Sequence, residues 1–190
     1  MITGISPIEH FKDLVNTAIR SQNVAADELT EFYLSSLLTD FMATKKVIDE
    51  PLAVTFLRAQ GAGRGLRGRL LKQLGDISLF TSGFFSDSLA RKVVDIDYYI
   101  AVGETSYGSL AALHSGARDD SLNALFTELA TKFTLFVDVL TEVSERCSLA
   151  TSTDVLRVYE RWLRTRSMRA EKMLRELGIE PLDVGTAPVH

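Results

Sequence analysis

Cysteine is almost missing from the sequence, since Cys147 is the only one among 190 residues. A disulfide framework and a multi-cysteine zinc site are therefore excluded. The three histidines are too few for a His-rich metal centre. Residues 1–7 carry neither the basic nor the apolar segment of a signal peptide. Because a lone thiol is also usual in a reducing compartment, we expect a cytoplasmic protein.

Long apolar runs and a strong net charge are missing too. No stretch approaches the roughly 20 apolar residues that cross a bilayer, so we expect no membrane segment. The net charge is only -4 and 46% of the residues are hydrophobic, which excludes a disordered chain. A length of 190 residues fits a single domain. We expect one helical bundle domain over residues 1–178 and a flexible tail at 179–190.

Proline and glycine leave long gaps in the sequence. No proline lies between Pro51 and Pro181, and no glycine lies between Gly116 and Gly178. Proline breaks helix interiors, and both residues mark the turns of strand-rich folds, so these gaps favour helices. No Asn-Gly or Asp-Gly hairpin turn is present, and no alternation of period two is sustained. The sequence predicts an all-α bundle of six to eight helices.

Apolar residues at spacings of three and four place the individual helices. The segment at 95–114 carries only acidic charges on a nearly all-round apolar surface, which predicts the central helix of the bundle. The last two helices are long, and we expect them to pack antiparallel. Between the third and fourth helices, Gly61–Gly65 is expected to be a flexible break. The expected helices cover residues 8–20, 27–46, 51–60, 66–85, 86–94, 95–114, 119–147 and 151–177.

Polar groups on the helices 66–85 and 95–114 define a candidate site. Asp97 and Glu104 are seven residues apart and share one helix face, and Asp76 can face them. A pocket of carboxylates and tyrosines between these helices could bind a small ligand or a cation, or perform acid–base chemistry. The alternative is that the acids only pair with neighbouring groups or stand at helix starts. The ligand-binding candidates are Asp76, Asp97, Tyr98, Glu104, Tyr107 and His114.

Two short blocks lie on the same two helices. Gly75-Asp76 is followed by Ser82-Gly83-Phe84-Phe85, and Asp97-Tyr98-Tyr99 comes next along the chain. These blocks resemble those of a group of all-helical bacterial proteins of uncharacterised function, which carry a Gly-Asp…Ser-Gly-Phe-Phe block before an Asp-Tyr-Tyr block. The resemblance implies a shared fold and no particular chemistry or cofactor.

Histidine-based metal and haem sites have little support. Carboxylate-bridged di-iron bundles need Glu-x-x-His pairs, but Pro7 stands three residues before His10 and Ala111 stands three residues before His114. Haem-oxygenase-like bundles are of similar length and use a histidine of the first helix as axial ligand. His10, together with Gly61-x-x-x-Gly65, keeps such a bundle as a minor alternative.

Basic and glycine-rich segments do not predict a nucleic-acid or nucleotide site. The formal pattern Gly63-x-Gly65-x-x-Gly68 needs a preceding strand, and here a helix precedes it. A nucleic-acid face would have to be built from basic residues that are interspersed with acidic ones or lie on several sides of a helix. A solvated basic face, which meets an acidic surface of another subunit, is therefore favoured over a nucleic-acid site. These residues are Arg64, Arg67, Arg69 and Lys72, and further along Arg157, Arg161, Arg164, Arg166, Arg169, Lys172 and Arg175.

No residue pattern indicates nucleophilic catalysis, since Cys147 has no histidine near it in the sequence and is expected to be structural. The leading hypothesis is a non-enzymatic protein that acts through protein–protein interaction, as a homodimer. Tyr159, Trp162 and neighbouring arginines are residue types that anchor interfaces. The alternative hypothesis is a small-molecule or metal-binding protein, or an enzyme, with the carboxylate and tyrosine pocket described above.

Overall fold

The computed structural model describes residues 6–43, 51–85, 95–116, 120–150, 159, 162 and 167–176. No strand occurs in these residues, which confirms the predicted all-α bundle. Three expected features lie outside them: the short helix at 86–94, the start of the last long helix and the tail at 179–190. Eight helices are described: α1 Pro7–Ser21, α2 Glu28–Ala43, α3 Leu52–Gly61, α4 Arg64–Phe84, α5 Ile96–His114, α6 Ser121–Thr131, α7 Phe133–Ala150 and α8 Met168–Glu176.

Local signals explain where several helices begin. At the start of α1, Glu9 Oε2 accepts the Ser6 backbone N–H at 3.1 Å, and Pro7 occupies the first helical position. The Asp95 side chain accepts the Ile96 backbone N–H at 2.7 Å and caps α5. Pro51, predicted as the first residue of its helix, stands just before α3.

Helix α4 lies at the centre of the bundle and packs against α2, α3, α5 and α7. Residues 77–85, which include its C-terminal half, are all buried. Helix α5 packs against α4 and α6, but Ala101, Glu104, Gly108 and Ala112 on it are exposed. The predicted central position of the helix at 95–114 therefore applies to the face of α5 that packs on α4 and α6, while the opposite face is exposed. Alanine and glycine on its solvent face made the sequence look apolar all round.

Three glycines allow the central helices to approach closely. A Cβ atom at Gly103 would lie 2.1 Å from the Phe133 ring of α7, and one at Gly83 would lie 2.4 Å from Leu140 Cβ. A Cβ atom at Gly75 would lie 2.4 Å from the Tyr107 ring. Such distances are shorter than any van der Waals contact, so only glycine fits these positions without movement of its neighbour.

The single helix predicted for 119–147 is two helices, because the chain breaks at Lys132. This residue leaves helical geometry with φ -108° and ψ 20°. Its Nζ donates to the Ala25 carbonyl at 2.7 Å and to Glu128 Oε1 at 2.7 Å. Glu128 also accepts the Thr30 hydroxyl and the Asp27 backbone N–H. The break therefore sits where the α1–α2 connection is fastened to α6.

The turn between α3 and α4 is shorter than the predicted break at Gly61–Gly65. Only Ala62 and Gly63 are non-helical, since α4 starts at Arg64. The Arg64 guanidinium donates to the Leu113 carbonyl, which belongs to the last turn of α5. A cation on the carbonyl end of a helix is favoured by the helix dipole. The start of α4 is thus anchored to the end of α5.

The core contains two residues that the sequence suggested for an interface. Tyr159 stacks on Phe85 with ring centroids 5.0 Å apart, and Trp162 meets Tyr159 edge-on at 5.7 Å. Both side chains are buried within this chain, so the expectation that they anchor a partner was wrong. Among the described residues, no helix combines the length and the apolar character needed to cross a membrane.

Candidate functional site

Asp76 is the centre of a polar cluster that joins three side chains from α2, α4 and α5. The hydroxyls of Tyr33 and Tyr107 both donate to Asp76 Oδ1, at 2.8 Å for Tyr107. Lys72 Nζ donates to Asp76 Oδ2 at 2.6 Å from one helical turn earlier. Both carboxylate oxygens therefore accept hydrogen bonds. We call Tyr33, Lys72, Asp76 and Tyr107 the Asp76 cluster.

Aromatic packing and one glycine hold the Asp76 cluster in place. Gly75, next to Asp76, lets the Tyr107 ring lie against the backbone of α4. Phe126 of α6 stacks on Tyr107 and meets Tyr33 edge-on, with ring centroids 5.8 Å away in both cases. The Lys72 ammonium lies 5.0 Å from the centroid of the Tyr33 ring. Each hydroxyl is thereby directed at the carboxylate.

Burial controls the protonation of the two tyrosines. The pKa of Tyr33 is raised above its ordinary value, mainly by burial and then by the negative charge of Asp76. The pKa of Tyr107, which is completely buried, is raised well above its ordinary value for the same two reasons. Both hydroxyls consequently stay protonated and remain donors across the physiological pH range.

The geometry of the cluster limits what Asp76 can do chemically. Its side chain is only 15% exposed, and its two oxygens already accept three donors from the chain itself. Three of the roughly four acceptor sites of the carboxylate are thereby used, which leaves one site on Oδ2 for a substrate or a metal. The groups of the Asp76 cluster satisfy one another, which is the usual state of buried polar residues.

The remaining predicted site residues are not brought to Asp76. Asp97, Tyr98 and Glu104 are exposed on α5. Asp97 stands ten residues before Tyr107, which is about 15 Å along the helix axis. His114 stacks on the Phe126 ring with centroids 5.9 Å apart and is half-buried. Only Asp76 and Tyr107 of the six candidates meet through hydrogen bonds.

Sequence reasoning missed two members of the cluster. Lys72 stands four residues before Asp76 in a helical pattern, so an ion pair on one helix face was available as a signal. Tyr33 stands 43 residues before Asp76 and on a different helix. No local spacing relates these two positions, and only the packing of α2 on α4 brings them together.

Three buried serines, Cys147 and His10 are further groups that can carry chemistry. Within the described ranges, the buried hydroxyls of Ser78, Ser82 and Ser106 have no hydrogen-bond partner, whereas a nucleophilic serine requires a base in contact with its hydroxyl. Burial raises the pKa of the Cys147 thiol to about 11, which opposes thiolate formation. His10, the candidate haem ligand, is exposed on α1. In the part of the chain that the structure describes, no group of three His, Cys, Asp or Glu side chains could hold a metal ion.

The surface of α3 and the first turns of α4 combine apolar and basic side chains. Leu57 is 70% exposed, and Val54, one turn earlier, is exposed beside it. Leu66 and Arg69 are exposed together on α4, and Arg58 follows Leu57 on α3. Residues 51–75 contain five basic residues and no acidic one. We call Val54, Leu57, Arg58, Leu66 and Arg69 the α3–α4 surface.

The first turns of α2 form a surface of the opposite sign. Phe32 is 53% exposed, and Leu29, one turn earlier, is exposed as well. Asp27 and Glu28 are exposed next to Leu29. Residues 21–44 contain four acidic residues and no basic one. We call Asp27, Glu28, Leu29 and Phe32 the α2 surface.

No family model matches the chain, and no curated protein or solved structure does either. The resemblance of the Gly-Asp and Asp-Tyr-Tyr blocks to a group of bacterial proteins therefore stays a prediction. A function for this chain has to be argued from its own residues.

The raised pKa values of the buried tyrosines predict a loss of stability at alkaline pH. In the unfolded chain a tyrosine ionises near 10.0, whereas Tyr33 and Tyr107 stay protonated in the folded chain above that pH. Their contribution is therefore complete below about pH 10 and falls as the pH rises, by up to about 1.4 kcal/mol per pH unit for each tyrosine. Urea unfolding between about pH 9 and pH 11.5 measures this slope.

Variants of the buried tyrosines show how much of this decrease in stability with rising pH comes from the Asp76 cluster. Tyr107→Phe removes one of the two hydroxyls and should lower the slope clearly. Tyr99→Phe is the comparison, because burial raises the pKa of Tyr99 as well, so this variant measures the part of the slope that arises outside the cluster. Equal slopes for wild type and Tyr107→Phe would show that Tyr107 does not titrate as a buried group.

Proposed function

We propose that this chain is a non-enzymatic interaction protein, and that it binds a partner protein through the α3–α4 surface. The observation that carries the proposal is the exposure of Leu57, together with Val54 and Leu66, beside arginines. Scattered exposed apolar residues are ordinary, but an apolar group rimmed by charges of one sign is typical of a recognition surface. Its location in the cytoplasm stays a prediction from the single cysteine.

The chemistry of the α3–α4 surface defines the partner. Leucine and valine side chains are matched by apolar side chains, and the arginines of this surface, Arg58 and Arg69, are matched by carboxylates. A nucleic-acid backbone supplies negative charge but no apolar group for Leu57 and Val54. The partner that fits is therefore an acidic amphipathic helix, with apolar residues at spacings of three and four.

A ligand or metal pocket at Asp76 has less support as a function. The carboxylate accepts three donors from its own chain, and the acids expected beside it are exposed on α5. The three donors stabilise the carboxylate where it stands, so a ligand would have to use the remaining acceptor site on Oδ2 or displace them.

Selection from a random peptide library displayed on phage tests the proposal. The full chain is immobilised, and bound peptides are sequenced. We expect enriched peptides to combine Asp and Glu with apolar residues at helical spacing. Their affinity for Leu57→Gln should fall by about tenfold or more, because the lost contact is apolar and central. Glutamine keeps the helix propensity of leucine, so α3 itself is preserved.

Met168→Gln is the matched control for this experiment. Met168 is 84% exposed, and it starts α8 rather than lying on α3 or α4. The selected peptides should bind Met168→Gln as tightly as wild type. Enrichment of basic or uncharged peptides, or equal binding to wild type and Leu57→Gln, would reject the α3–α4 surface as the binding site.

A further inference from the structure

We propose that the partner of the α3–α4 surface is the α2 surface of a second copy of this chain. This inference rests on the proposed function and identifies the partner that binds the α3–α4 surface. The α2 surface has the chemistry required, because Leu29 and Phe32 are exposed one helical turn apart and Asp27 and Glu28 are exposed beside them.

Opposite charges favour this pairing over the pairing of either surface with itself. The α3–α4 surface carries Arg58 and Arg69, and the α2 surface carries Asp27 and Glu28. Two basic surfaces or two acidic surfaces repel when they are brought together. The contact between unlike surfaces joins charges of opposite sign and covers apolar side chains on both.

A twofold dimer would contain the proposed contact twice. Phe41 of α2 and Phe56 of α3 pack against the same small cluster of buried residues, which contains Leu52 of α3. The C-terminal end of α2 therefore lies near α3, while the α2 surface is at the N-terminal end of the same helix. A twofold axis that brings each α2 surface to the partner's α3–α4 surface forms the same contact twice and closes the assembly as a dimer.

Sedimentation equilibrium of the full chain measures the self-association. We expect a dimer at low salt whose dissociation constant rises with sodium chloride, because salt screens exposed charges. Leu57→Gln and Phe32→Gln should each raise the dissociation constant by about tenfold or more. Arg69→Glu, which changes only charge, should raise it most strongly at low salt. Met168→Gln should associate like wild type.

A mixture of two defective variants tests which surfaces meet. Leu57→Gln keeps an intact α2 surface, and Phe32→Gln keeps an intact α3–α4 surface. If unlike surfaces pair, the mixed dimer regains one wild-type contact, so a mixture should associate more tightly than either variant alone. If like surfaces pair, the mixture regains no contact, and that result would overturn the proposal.

Three further results would reject a second copy of the chain as the partner. They differ in what they imply for the proposed function. A monomer at every salt concentration that still binds the selected acidic peptides rejects self-association and keeps the proposed function. A monomer that binds neither those peptides nor itself rejects both. A monomer that sediments with vesicles of equal parts phosphatidylcholine and phosphatidylserine, in a manner lost in Leu57→Gln, assigns the surface to an anionic membrane instead.

Discussion

Gly103→Ala should unfold at clearly lower urea concentration than wild type, with a loss of about 2 kcal/mol or more in the free energy of unfolding. The added Cβ would lie 2.1 Å from Cζ and 2.4 Å from Cε2 of the Phe133 ring. Phe133 has no exposed surface and sits in the main core, so its ring cannot turn into free space. The cost of forcing α5 away from α7 exceeds the gain of about 1 kcal/mol that alanine brings to a helix interior.

Gly108→Ala is the matched control on the same helix. Its nearest neighbour would be Ala130 Cβ at 3.9 Å, which is an ordinary contact, and the position is exposed. This variant should therefore be more stable than wild type by about 0.5–1 kcal/mol, since only helix propensity changes. If Gly103→Ala is as stable as Gly108→Ala, then α5 and α7 are not packed as closely as described.

Asp76→Ala should lower the free energy of unfolding by about 3 kcal/mol. The substitution leaves the hydroxyls of Tyr33 and Tyr107 without their shared acceptor, and Tyr107 is fully buried. The lost ion pair with Lys72 contributes less to this decrease, because about half of the Lys72 side chain is exposed and its ammonium group reaches water. Urea unfolding of the single variant, of Tyr107→Phe and of the double variant gives the coupling energy, which we expect to be well above zero.

Glu104→Gln provides the comparison for Asp76→Ala, because Glu104 is exposed on α5. It should change the free energy of unfolding by less than about 0.5 kcal/mol. Divalent cations should leave the thermal midpoints of wild type and of both variants unchanged. If Mg²⁺ or Zn²⁺ raises the thermal midpoint of wild type but not that of Asp76→Ala, the metal-binding alternative is restored.

Helix positions were predictable wherever one helix face carries the apolar residues. The α1 stripe that includes Phe11, Val15 and Ile19 is buried as predicted. The break at Lys132 was not predictable, since the apolar spacing of three and four runs across it from Leu129 to Phe133. Its cause is a set of contacts to residues about a hundred positions earlier, in the connection between α1 and α2.

The candidate site was predictable only in part. Asp76 and Tyr107 were identified because polar groups on apolar helices must find partners. Asp97 and Glu104 were placed beside them because small residues on the solvent face of α5 imitate a buried surface. The position of Tyr33 depends on helix packing between distant segments, and the same applies to the contact between Gly75 and Tyr107.

The Asp76 cluster stabilises the fold, and we propose that the α3–α4 surface, separate from that cluster, binds the partner. Calorimetric titration of the selected acidic peptide into wild type, Leu57→Gln and Tyr107→Phe tests this claim most directly, at a temperature where all three are folded. We predict that Tyr107→Phe, although less stable, binds the peptide like wild type, whereas Leu57→Gln, although equally stable, binds it about tenfold more weakly or worse. Full binding by Leu57→Gln together with lost binding by Tyr107→Phe would contradict the claim.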